Sequence, residues 1–175
     1  MLIHIAAEYG NPETLRAIMR HYPFYRKIFL RLSVTIQGSP LHFALRGKKY
    51  ENVIFLLENF PEFIKFQDRD NNTALHVAIR TDCRILKMLL DVAPRGIITA
   101  RNIDRDTVLH LAASYSKLEM ISLLMNTGHF TGMERNYRGM TPVYQWNRSR
   151  YDHAHTMQVF RLHSEEQVIE ALKIK

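Results

Sequence analysis

A chain of 175 residues with a 46% apolar share can bury a continuous core, and it contains no run of the roughly 18 to 20 apolar residues that spans a bilayer. Its formal charge of +7 reads first as a solvated outer surface, the functional alternative being attraction of an acidic protein partner or nucleic acid, and its single cysteine, Cys83, excludes an internal disulfide and suits a cytoplasmic or nuclear setting. The apolar start Met1–Ala7 is short and lacks a basic flank, so no cleavable signal is expected.

In chain order, the first element is a helix opened by Leu2-Ile3-His4-Ile5-Ala6-Ala7. A related phrase then recurs as Ser39-Pro40-Leu41-His42, Thr73-Ala74-Leu75-His76, Thr107-Val108-Leu109-His110 and Thr141-Pro142-Val143-Tyr144, with starts 34 residues apart. Self-similarity at such a period means a stacked array of like units.

One unit, Thr107 to Gly128, shows the physics. Thr107 suits a helix N-cap, and the next position is Pro40 or Pro142 in two copies, where proline is favoured as the first helical residue. Leu109, Ala112 and Ala113 make one apolar face, with small alanines that let a neighbouring helix come close. Ser116-Lys117 marks a tight turn. Met120, Ile121, Leu123 and Leu124 supply a second helix, which Gly128 stops.

The other units follow suit. Ala6, Ala44, Ala78 and Ala112 hold one register, and Glu13, Glu51 and Glu119 hold another. The third unit is one residue short around Thr81-Asp82-Cys83 and recovers it in the linker Val92 to Asn102. Apolar linkers at Phe24 to Leu30, Phe60 to Phe66 and Ile97-Ile98 are expected to pack beneath the second helices, with helical continuation after Pro61; the other reading is an exposed groove for a partner helix.

These phrases, with "IHIAAEYGNPETLRAIM" at 3–19 and "LHLAASYSKLEMISLLM" at 109–125, resemble the ankyrin-repeat family over roughly residues 1–163. The resemblance implies an all-α solenoid of about five helix–turn–helix units with short hairpin loops. The units fall at about 1–34, 35–68, 69–102, 103–136 and 137–163, and a C-terminal helix or tail occupies 164–175. It also implies that the motif Thr and His side chains hydrogen-bond locally and tie hairpin to helix. The hairpin position that such proteins usually give to glycine is Gly139 in the last copy, Asn71 in the third and Arg105 in the fourth. Arginine takes a positive φ poorly, so the Asp104–Asp106 hairpin is expected to be looser.

By the same resemblance, a protein partner meets the hairpin tips and the concave side of the first helices. Carried over, the hairpin positions are Arg69, Asp70, Asn72, Ile103, Asp104, Asp106, Tyr137, Arg138 and Met140. The first-helix positions are Glu8, Tyr9, Arg46, Arg80, Thr81, Ser114, Tyr115 and Arg148. No catalytic residue, cofactor or metal is expected, and the chain reads as a monomer.

Two narrower readings accompany this one. A short array with Phe66-Gln67-Asp68 ahead of a Thr-x-Leu-His phrase is similar to inhibitors of NF-kappa-B and their viral relatives, which implies a regulator of a transcription factor. Met1 falling inside a repeat supports a targeting fragment of a larger enzyme or adaptor. Nucleic acid is not expected, because no recognition module or aromatic stacking platform accompanies the basic residues.

Residues that suggest chemistry have plainer roles. The motif histidines sit one unit apart and so do not converge. Asp152, His153, His155 and His163 are the one constellation with metal-ligand character, and they read as an exposed polar turn. Cys83 falls in an inter-helix turn with no histidine implied nearby. Tyr144 and Trp146 suit closure of the last unit, the other reading being a binding hot spot.

Overall fold

The computed structural model describes residues 2–21 and 37–148, which form ten α-helices, one 3₁₀ helix and no β-strand. No helix among them is long and apolar enough to cross a membrane. The chain divides into two compact units, Met1–Ile97 and Ile98–Lys175.

Unit one contains α1 (Leu2–Tyr9), α2 (Pro12–His21), α3 (Pro40–Arg46), α4 (Tyr50–Asn59), the 3₁₀ helix Pro61–Lys65, α5 (Ala74–Ala78) and α6 (Cys83–Val92). A short α7 (Arg95–Ile98) follows at its border. Within this unit α3 packs between α1 and α5, and α2 lies against α4. Ala6, Ala7, Ala44 and Ala78 are buried, so the first helices approach closely at their small residues. Unit two contains α8 (Val108–Ser114), α9 (Leu118–Asn126) and α10 (Pro142–Arg148), with α8 packed on both others over buried Ala112 and Ala113.

The same local device starts three first helices. Ser39, Thr73 and Thr107 are extended N-caps, and the histidine at the third helical position occupies the place that Glu or Gln takes in a capping box. Nδ1 of His42, His76 and His110 accepts from the cap N–H at 3.2 Å in each case. It also meets the cap hydroxyl at 2.8–2.9 Å. The second helices begin with Glu13, Glu51 and Glu119 in their first turns, where the helix dipole favours an anion.

Packing settles the apolar linkers. Pro61 opens the 3₁₀ helix, and Phe60, Phe63 and Ile64 are buried, with the Phe60 and Phe63 rings stacked 5.1 Å apart. Ile98 is buried as well. At these described positions the apolar side chains are packed inward. The linker Phe24 to Leu30 lies outside the described residues. Cys83 is the first residue of α6, one step beyond the turn expected for it, because Asp82 caps that helix by accepting from the Arg84 N–H at 2.8 Å.

Candidate partner-binding surface

The tips that carry the candidate residues are built on three equivalent five-residue hairpins. Asp68, Asn102 and Asn136 stand 34 positions apart, and each opens one of them. The side-chain oxygen of each accepts two backbone N–H groups further round the turn. Asp68 Oδ1 takes those of Asp70 and Asn72, Asn102 Oδ1 those of Asp104 and Asp106, and Asn136 Oδ1 those of Arg138 and Met140, all at 2.9–3.0 Å. An Asx side chain that mimics a turn in this way pre-orders the loop before any partner arrives. These framework residues escape the phrase-based reading, although their own 34-residue spacing is a signal that could have found them.

Asn71, Arg105 and Gly139 fill the left-handed position with φ of 59°, 58° and 71°. The hairpin containing Arg105 is therefore no looser than its neighbours. Its closing bonds, Arg105 N to Asn102 O at 2.9 Å and Asn102 N to Asp106 O at 3.0 Å, match those of the other two. The Asx anchor holds a conformation that arginine disfavours by roughly 1–2 kcal/mol. Arg105→Gly is accordingly expected to raise the thermal midpoint, by about 0.5–1 kcal/mol of stability once glycine's larger unfolded-state entropy is counted. Differential scanning calorimetry checks it.

The motif histidines connect units to hairpins. His42 Nε2 donates to the Asn72 carbonyl at 3.0 Å, and His110 Nε2 donates to the Met140 carbonyl at 3.1 Å. Nδ1 accepts, so the ring proton resides on Nε2 and the ring is neutral. Burial pushes the His42 pKa down to about 4, against the pull of the Asn72 hydrogen bond and Asp68; burial also lowers His4 to about 4 and lowers His110. The His42 and His110 rings use both nitrogens in structural bonds. At Cys83 the flanking charges pair with each other, Arg84 Nη2 to Asp82 Oδ2 at 2.8 Å, which holds the Asp82 carboxyl below its usual range. No group of His, Cys, Asp and Glu among the described residues could hold a metal, and the Asp152–His163 constellation lies outside them.

In unit one, Tyr9, Arg46, Arg69, Asp70 and Arg80 are exposed, and Glu8, Asn72 and Thr81 are half-buried. Arg46 is tied down: Nη1 donates to Gln37 O at 2.9 Å and Nη2 pairs with buried Asp68 Oδ2 at 2.7 Å. In unit two, Ile103, Asp104, Ser114, Tyr115, Tyr137 and Arg138 are exposed, and Met140 is half-buried. Adjacent tips are bonded there through Tyr137 N to Asp104 O at 2.8 Å. Asp106 is 9% exposed and accepts from Asn136 Nδ2 at 2.8 Å, so its carboxylate serves the hairpin stack and does not face solvent. Arg148 ends α10. Trp146 is buried, as closure of the unit requires, whereas Tyr144 is 56% exposed. Exposed Met133 also belongs to this region and escapes the phrase-based reading.

Comparison with known proteins agrees with this architecture. Residues 3–97 match the family described as ankyrin repeats in three copies, and residues 104–130 match a further ankyrin repeat. The chain is similar to NF-kappa-B inhibitor alpha of Sus scrofa, with 33% identity over 108 residues, or 57% of this chain. It spans 33% of that relative's length. The family matches, the repeated caps and the paired helices together show that this chain belongs to the ankyrin-repeat family.

Proposed function

We propose that this chain is a non-catalytic protein-binding array whose exposed hairpin and first-helix residues, in each unit, meet a protein partner of acidic character. The observation that carries this reading is the contrast between tip and frame. Tyr137 is 77% exposed and Ile103 63% exposed on hairpins whose backbone is already bonded internally. A hairpin backbone that is already ordered spares the loop-ordering entropy of binding, and tyrosine and arginine dominate interface energetics. The net charge of +7 favours acidic partners. The one cysteine suits a cytoplasmic or nuclear setting.

A second, narrower reading is a regulator of a transcription factor. The similarity to a protein named NF-kappa-B inhibitor alpha favours it, and direct titration against purified NF-kappa-B tests it.

Affinity capture with mass spectrometry tests the broader reading. The wild-type chain is expected to retain a defined partner. Combined Tyr9→Ala, Arg80→Ala, Ile103→Ala and Tyr115→Ala changes are expected to reduce capture by at least about tenfold without lowering the thermal midpoint. Undiminished capture by that variant would refute the surface.

A further inference from the structure

A hollow of about 560 Å³ in unit two lies between the last hairpin and the start of α10, lined by Met133, Arg135, Arg138, Gly139, Met140, Thr141 and Tyr144. Its size is that of a ligand site. Its chemistry is one-sided. Among the described residues, two arginines line it and no carboxylate does. The acidic residue of this stretch, Glu134, has Oε1 engaged by Thr131 N at 2.7 Å and Thr131 Oγ1 at 2.9 Å, and it does not line the hollow. Apolar surfaces line it too, Met133 at 68% exposure and Tyr144, with half-buried Met140.

The walls are pre-formed. Arg135 Nη1 donates to Gly139 O at 2.8 Å, and Arg101 Nη1 to Arg135 O at 2.6 Å. The Met133 N–H is held by Thr131 Oγ1 at 3.2 Å. Gly139 adds a backbone edge: among the described residues nothing stands within 4 Å of the place a Cβ would occupy there.

We propose that this hollow is an anchor site for a linear acidic peptide segment bearing one large apolar side chain, with Arg138 and Arg135 facing its carboxylates and Met133, Met140 and Tyr144 enclosing the apolar group. Guanidinium forks match carboxylates, and methionine adapts its shape to an irregular apolar insert. A basic peptide would meet only repulsion, and a purely apolar one would leave both arginines without a counter-charge. The inference rests on the protein-binding reading above and names where, in unit two, the acidic partner is gripped.

The test is fluorescence anisotropy on the full chain with a panel of fluorescein-labelled aspartate-rich peptides. Each carries one central Phe, Tyr, Trp, Leu or Ile, and a control carries Ser there. Saturable binding is expected for at least one apolar-centred peptide and about tenfold weaker binding for the serine control. Arg138→Glu is expected to weaken that binding by tenfold or more, and Lys87→Glu, at an exposed basic position of unit one outside the proposed surface, to leave it unchanged. Gly139→Asn is expected to block the site while keeping the turn, since Asn71 already occupies the equivalent position at φ 59°. No saturable binding across the panel overturns the proposal, as does equal loss with Lys87→Glu and Arg138→Glu, which would signify diffuse charge attraction. If the panel fails while the tyrosine and isoleucine changes still abolish capture, this pocket is refuted and the wider protein-binding reading stands.

Discussion

Aspartate at position 52 is expected to destabilise unit one by about 3–5 kcal/mol, the range for a buried charge left without a partner. Asn52, near the start of α4, is 1% exposed. Its amide Nδ2 donates to the carbonyls of Ala6, Ala7 and Gly10 at 3.3, 3.0 and 3.2 Å. Those carbonyls lie at the end of α1, where a helix runs out of its own donors. One side chain thus terminates the first helix of the preceding repeat. An aspartate would turn a carboxylate toward three carbonyl dipoles, and water could not relieve it. Asn52→Ala removes the donor without adding charge and is expected to cost about 1–3 kcal/mol. Urea denaturation of both variants at neutral pH decides the matter. Equal midpoints for Asp and Ala would show that the added charge costs nothing beyond the lost donor, and a wild-type midpoint for Ala would show that donation to α1 is not what position 52 supplies.

Acid is expected to weaken the fold before most carboxylates titrate. His42 is fully buried and neutral, with a pKa pushed to about 4 from 6.5. Above pH 6.5 both folded and unfolded chains leave it uncharged, so it has no effect on the pH dependence. Below that value the unfolded chain takes up a proton that the folded chain refuses, and stability falls with pH. The loss continues to about pH 4, where it levels off near 3 kcal/mol for this residue. Between about pH 7.5 and 5.5 the expected loss from His42 alone is roughly 1.4 kcal/mol. His4 and His110 are lowered in the same direction. Urea midpoints at the two pH values measure the total. His42→Gln keeps an acceptor at the third helical position, so it should lower stability at pH 7.5 and flatten the slope below pH 6.5. An unchanged slope in that variant would assign the acid sensitivity elsewhere.

The fold was legible wherever one residue type does one job at a fixed interval. Thr107 caps, Ala112 and Ala113 admit a neighbour, and Gly128 ends α9 with φ 68°. Polar residues were read less fully. Asp68, Asn102 and Asn136 share a position but not an identity, so the common property, a side-chain oxygen at turn geometry, hides behind two letters. Arg105 misled for the opposite reason: its own preference is poor, and the strength of the anchor three residues earlier overrides it. Asp106 and Asp104 both look like tip residues in the sequence, and only the stacking of the next hairpin turns one inward. The hollow beside α10 joins a linker methionine, a hairpin and a helix start. A concavity of that kind has no period, and no window of sequence contains it.

The histidine bonds also limit how such a chain can change length. His42 reaches a carbonyl 30 residues ahead, and His110 reaches one at the same separation. A ring nitrogen has a reach of about 3 Å, so it acts as a gauge on the number of residues folded between it and the next hairpin. A deletion inside one span must be made good before that hairpin arrives. The third unit does this, dropping a residue ahead of α6 and restoring it before Asn102, so that the hairpin openers still fall at 68, 102 and 136. Insertions elsewhere in a span would uncouple two repeats at once, whereas the exposed tip side chains can change freely without altering the count.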